Sequence, residues 1–269
     1  MPPTISFQRT PVTIILMCVM GLIEVLSLTD EGARLRFYQV LGITQQIWGW
    51  ELWRLFTTTL LHADPLHAFF NIYILSIFGS AIEYHYGPGR TLGMVAFFAL
   101  CSTMPEYAWN YERQITQIVG FSGVNYGLFG FLLVGRRYQS DFYYACPPMV
   151  VQILIAWFFL GILLTAVAKW DIANVAHGAG LLFGYLLGNS VFRVRARNAW
   201  RAALGVATAA VLLMLVWCPW HAGFKAMKHH RPPYRPLLKR TLDEQPAVAQ
   251  AGERGTEAAA EGQGTNARG

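Results

Sequence analysis

Gly120-Phe121-Ser122-Gly123-Val124-Asn125-Tyr126-Gly127 opens an apolar stretch that runs on to Gly135. A second apolar stretch carries Ala176-His177-Gly178-Ala179-Gly180 near its start. Both stretches read as membrane spans, with the serine and the histidine at matching depths. Polar groups at membrane depth are costly and are retained where they have partners or a task. A hydroxyl and an imidazole are the ingredients of a nucleophile and its base.

The composition sets the class around this pair. The chain has 269 residues, 54% hydrophobic and 13% charged, whereas soluble domains carry about 25% charged residues. Apolar runs recur at the roughly 17–25 residues that a helix needs to cross a bilayer. The sequence therefore predicts an all-α, polytopic membrane protein. Met1 to Thr10 holds one arginine, and the first apolar run has no small-residue cleavage site, so it reads as a retained span and not a signal peptide. The net charge of +6 lies mostly in short loops and the C-terminal tail. It points to topology and lipid headgroups, with the lipid bilayer as partner and no nucleic acid. Cys18, Cys101, Cys146 and Cys218 each stand alone, without a CxxC or Cys/His cluster. They are packing residues in this reading, and neither a zinc site nor a disulfide framework is expected. No motif for a metal, nucleotide or other cofactor is present.

Seven spans are predicted, at residues 11–28, 66–83, 91–106, 118–135, 148–168, 172–191 and 202–219. The resulting organisation is a short cytoplasmic N-terminus (1–10), a membrane core (11–191), a basic linker with an additional C-terminal transmembrane helix (192–220), and a tail that is first basic and then disordered (221–269). Between the first two spans, Thr29 to Pro65 contains Trp48, Trp50 and Trp53. Tryptophan favours the membrane interface, so this segment reads as a membrane-hugging loop. Gly87-Pro88-Gly89 and Cys146-Pro147-Pro148 break the chain between spans.

Charge orients the spans. Arg9 precedes the first, and Arg90, Arg136, Arg137, Arg193, Arg195, Arg197 and Arg201 follow even-numbered ones. The positive-inside rule places these in the cytoplasm. Glu106, Glu112, Arg113, Lys169 and Asp171, of mixed sign, are read as outer-loop residues. A seventh span conflicts with this rule, because it would carry Lys225, Lys228, Arg231, Arg235, Lys239 and Arg240 outside.

Spans four and six then run in the same direction. Ser122 and His177, each a few residues in, lie roughly 5–10 Å below the outer surface at about 1.5 Å rise per residue. Gly120, Gly123, Gly127 and Gly130 line span four, and Gly178, Gly180, Gly184 and Gly188 line span six. Small residues at this spacing let helix backbones approach closely. Packing alone would account for the glycines, and an interhelical hydrogen bond for the serine. More polar groups converge on the same depth, however. His67 and Asn71 are four residues apart on one helix face, and their N–H groups, with that of Ser122, are candidate donors to an oxyanion. An ordinary interhelical hydrogen-bond pair is the competing reading for them. Tyr126 lies one turn from Ser122 and is placed to pack its ring on His177, or simply to fill space.

The segment Gly120 to Gly127 resembles the GxSG motif, with its following tyrosine, of the rhomboid family of intramembrane serine proteases. His67-Ala68-Phe69-Phe70-Asn71 resembles that family's HxxxN. Ala176-His177-Gly178-Ala179-Gly180 with Gly184 resembles its AHxxGxxxG. Trp53-Arg54 matches its WR pair, and Glu83 a glutamate at the inner end of its second span. The motifs run from about residue 50 to 190, in family order.

The resemblance implies a six-helix rhomboid-like bundle with Ser122 as nucleophile and His177 as general base. Asn71, His67 and the Ser122 amide would form the oxyanion hole. Gly120 would shape the turn before the nucleophile, Gly123 would follow it, and Trp53, Arg54 and Glu83 would be structural. No Asp or Glu is expected at the depth of the pair to complete a triad, and Asp171 lies nearer the surface. The substrate would be the transmembrane segment of a single-pass protein, unwound near its outer end, with the site opening to the outer face of a plasma membrane. A rhomboid-like pseudoprotease that binds transmembrane clients is the alternative, although such proteins lack the serine or histidine, or carry a proline beside the serine. A transporter would be expected to show internal repeats or charges along a path. No such repeat is present, and the midspan regions hold few ionisable groups apart from Glu24. Substrate identity and oligomeric state are not legible.

Overall fold

The computed structural model describes residues 6–44, 47, 51–110, 120–168 and 170–229, with the backbone alone for Glu31 and for 218–229. Of the residues named above, Trp48, Trp50, Glu112, Arg113, Lys169 and the basic residues beyond His229 lie outside this set. The chain divides into two units, Met1–Pro219 and Trp220–Gly269, and the architecture that follows is that of the first.

Every regular element among the described residues is helical: α1 (Pro11–Thr29), α2 (Glu31–Leu41), α3 (Arg54–Thr57) running into a 3-10 turn (Thr58–Leu60), α4 (Pro65–Tyr86), α5 (Pro88–Asn110), α6 (Ser122–Gly135), α7 (Ser140–Ala145), α8 (Pro148–Val167), α9 (Asn174–Phe192) and α10 (Arg197–His229). Local chemistry marks the boundaries. Pro11, Pro65 and Pro148 each open a helix, where the missing N–H leaves no bond unmade. Asp64 caps α4 by accepting the His67 N–H at 2.9 Å. Gly87, at φ +79°, turns the chain between α4 and α5.

Five of these helices are long and apolar enough to cross a membrane: α1, α4, α8, α9 and the Arg197–Trp217 part of α10. The chain is an integral, multi-pass membrane protein. The expected third and fourth spans fall on α5 and α6, and both depart from the simple pattern. α6 has only 14 residues and the serine is the first residue of its helix; the expected start of the span at 118 lies outside the described residues. α5 is 23 residues long but buries Thr91, Ser102, Thr103, Glu106 and Asn110. The cause is position in the bundle. In α6 every residue except Ser122 and Leu133 is buried. A helix surrounded by protein need not be uniformly apolar, because its polar groups find partners there and not lipid. α8 is the opposite case, strongly apolar and mostly exposed.

Two further expectations are corrected. The segment from Thr29 to Pro65 is not a plain loop, since it holds α2, α3 and the 3-10 turn. Glu106 is not an outer-loop residue: it lies in the last turn of α5 and is 4% exposed.

α6 packs against α9, and α5 packs against both. Contact between α6 and α9 is made backbone to backbone. A Cβ built on Gly180 would overlap the Gly123 carbonyl oxygen, and one on Gly184 would overlap that of Gly127. Phe78, Phe98, Phe129 and Phe131 fill the space around this pair and are fully buried.

Candidate active site

Ser122 stands where the chain enters α6. Gly120 takes φ +113°, a conformation that disfavours any residue with a Cβ. A second constraint acts at the same atom, because a Cβ on Gly120 would lie 2.6 Å from the His67 ring. The chain thus turns tightly over His67 and delivers Ser122 to the first helical position. At that end of a helix the first N–H groups have no intrahelical acceptor and carry the positive end of the macrodipole.

His177 sits one turn into α9 and is 7% exposed. Its Nε2 lies 2.7 Å from Ser122 Oγ. The Tyr126 ring lies over the imidazole, with centroids 4.8 Å apart and planes inclined by 33°. Tyr126 in turn donates its hydroxyl to the Leu154 carbonyl of α8 at 3.0 Å. The imidazole is therefore held between the serine and an aromatic ring that is itself tethered to a third helix.

Asn71 and His67 come to the same corner from α4. Asn71 is 3% exposed, donates its Nδ2 to the His67 carbonyl at 2.9 Å and accepts from Asn125 Nδ2 at 3.0 Å. His67 faces Gly120 and stands edge-on to the His62 ring at 5.1 Å. Gly123 packs against Ser102 and Ala176. The structure thus brings Ser122, His177, Tyr126, Asn71, His67, Gly120 and Gly123 together.

Trp53, Arg54 and Glu83 lie elsewhere. Arg54 is buried and donates to the Gln39 and Gly42 carbonyls at 2.7 Å each, while pairing with Glu51. It ties α2 to α3, with Trp53 half exposed beside it. Glu83 accepts from the Val12 and Thr13 N–H groups and the Thr13 hydroxyl at 2.7–2.8 Å. It stitches the start of α1 to the end of α4.

Three residues of this corner are not evident from the sequence. His62 accepts the Phe121 N–H at 3.4 Å through Nε2. Burial pushes its pKa down to about 3, and the neighbouring His67 adds to the effect, which favours the neutral imidazole over the cation. A histidine five residues before His67 is the available signal. Asn125 binds Asn71, and its position three residues after Ser122 is the clue. Glu106 accepts the Ala176 N–H at 2.8 Å, so a carboxylate comes close to the pair. Its contact is to the backbone beside His177 and not to the ring. Among the described residues, no three His, Cys, Asp or Glu side chains converge as a metal site would need.

In this membrane protein a serine and a histidine meet across two interlocked helices. The Rhomboid domain family matches residues 49–194, and the chain belongs to that family. It is similar to the rhomboid protease GlpG of Pectobacterium atrosepticum, at 31% identity over 51% of this chain and 48% of that protein. It is also similar to the rhomboid proteases GlpG of Haemophilus influenzae, at 28% identity over 51% of this chain and 69% of that protein, and of Enterobacter sp., at 27% over 67% and 63%. The chain thus spans about half the length of the first of these relatives. Every site residue named above falls within the matched region, whereas α1 and α10 lie outside it.

Proposed function

We propose that this protein is an intramembrane serine endopeptidase that cuts transmembrane segments of single-pass proteins near their outer end, using Ser122 and His177 as a dyad. The observation that carries the reading is the 2.7 Å contact between Ser122 Oγ and His177 Nε2 at the mouth of two buried helices. That distance is the reach of a nucleophile and its base.

In the proposed reaction His177 Nε2 takes the hydroxyl proton as Ser122 Oγ bonds to the scissile carbonyl carbon. The negative charge on the carbonyl oxygen is met by the N–H of Ser122 and by side-chain donors of Asn71 and His67. The imidazolium returns its proton to the leaving amine, and an acyl-enzyme remains. Water, deprotonated by the same imidazole, then releases the acid. A helical substrate hides its carbonyls in its own hydrogen bonds, so small or helix-breaking residues near the cut favour reaction. Water has to reach Ser122, which favours a site opening to the outer face of the plasma membrane.

The test is cleavage of a panel of single-pass substrates by the purified protein, with labelling of Ser122 by a fluorophosphonate in parallel. Cutting together with labelling supports the reading. Substrate binding without either moves it to a client-binding pseudoprotease.

The oxyanion role makes its own prediction. Asn71→Ala is expected to lower kcat by roughly 10²–10³, the usual effect of removing one such donor. Steady-state kinetics on one peptide substrate checks this, and unchanged turnover would take Asn71 out of the site.

A further inference from the structure

We propose that Glu106 is a positioning residue for the base, capping α9 from the neighbouring helix and so holding His177 against Ser122. The inference rests on the reading of Ser122 and His177 as nucleophile and base.

α9 has no cap of its own. Its N-cap residue is Ala173, whose side chain has no acceptor. The next polar residue, Asn174, is turned away and donates its amide to Thr165 Oγ1 at 2.8 Å and to the Gly161 carbonyl at 3.4 Å, both on α8. Ala173 does accept the His177 N–H at 3.1 Å, closing the first helical bond. The Ala176 N–H, one residue before the histidine, is among those a helix start leaves unpaired. Glu106 Oε2 takes it at 2.8 Å. A carboxylate at a helix N-terminus is doubly suited to that place, as acceptor and as counter-charge to the dipole.

The carboxylate is itself held. Asn110 donates its amide both to Glu106 Oε1 and to the Glu106 carbonyl. Both carboxyl oxygens thus accept hydrogen bonds. It is buried, and these bonds help to aim it. Pro105 precedes it inside α5 and removes one backbone donor from the helix there.

The consequence for the site is geometric. Ala176 packs its Cβ against Gly123, the residue after the nucleophile. Fixing the Ala176 amide therefore fixes the height and rotation of the α9 first turn against α6, and with them the imidazole. In a soluble triad a carboxylate orients the imidazole through a ring nitrogen. Here the carboxylate would act through the backbone amide next door, on a ring whose other face is supported by Tyr126.

The experiment compares full-length wild type with Glu106→Asp and Glu106→Gln in the same detergent. The folded fraction is isolated by size exclusion, and two quantities are read: the rate of Ser122 labelling by a fluorophosphonate, and kcat and KM on one substrate. Aspartate keeps the charge but falls one carbon short of the Ala176 N–H, and is expected to slow labelling and kcat by roughly ten- to a hundredfold with KM unchanged. Glutamine keeps one acceptor at the same reach and is expected to lose less. If Glu106→Asp yields no folded protein, a slowed Glu106→Gln carries the same conclusion. Wild-type labelling rates in the folded fraction of the variants, whatever their melting temperature, overturn the proposal and leave Glu106 a stabilising residue only. Wild-type protein that neither labels nor cuts overturns instead the protease reading on which it rests.

Discussion

Ser122→Ala is expected to give a folded, membrane-inserted protein that cleaves nothing, with residual activity below roughly 10⁻⁴ of wild type. The substitution removes one oxygen at the open end of α6 and adds no atom. The hydrogen bond to His177 is lost, a change of about 1 kcal/mol in stability, and the interlocked backbones of α6 and α9 are untouched. Turnover is expected to respond differently, because among the described residues Ser122 Oγ is the hydroxyl bonded to His177, and Tyr126 directs its own to Leu154. His177→Ala is expected to match the loss, and the double variant to be no worse than either, as for residues that act as one unit. Cleavage assays with melting curves on the three variants decide the matter. Substantial turnover in Ser122→Ala, with the fold intact, would remove the dyad.

The second large effect is on the fold. Gly184→Val is expected to destabilise the protein by roughly 3 kcal/mol or more, because the added Cβ would occupy the place of the Gly127 carbonyl oxygen. Neither backbone can yield without separating α6 from α9. At this chain length the loss corresponds to a fall in Tm of about 6 °C or more. Gly178→Ala is the internal control. A Cβ there meets only the Phe158 ring at 3.6 Å, an ordinary contact, so the helix gains a better former with no clash. Thermal unfolding of the two variants in one detergent measures the difference. Equal melting temperatures would mean that the helices are not locked through these glycines.

Much of this arrangement is legible in the sequence, for identifiable reasons. The glycines of spans four and six have a helical spacing, and close approach follows from that spacing alone. Ser122, His177, Asn71 and Tyr126 fall at one depth once the spans are drawn. The start of α6 is not legible, because apolar residues continue ahead of Ser122 and hydropathy does not register the turn at Gly120. Glu106 is misplaced by the sequence for a related reason. A carboxylate near the end of an apolar run reads as the first residue of a loop, and only the packing of α5 on α9 shows that a backbone amide waits for it. His62 and Asn125 escape notice because their partners, the Phe121 N–H and Asn71, are 59 and 54 residues away, and spacing rules reach only along one element.

The backbone interlock of α6 and α9 has a bearing on how the protein responds to its lipid. A bilayer thicker or thinner than the apolar length of a bundle is accommodated by tilting helices or deforming the membrane. With Gly180 and Gly184 seated on the carbonyls of Gly123 and Gly127, the two helices that carry Ser122 and His177 tilt as one body. Hydrophobic mismatch then alters how deep the pair lies and, under the proposed function, how a substrate segment would meet it, while the spacing of the two side chains stays constant. Across vesicles of increasing acyl-chain length, lipid would tune access to the chemistry and leave its geometry alone.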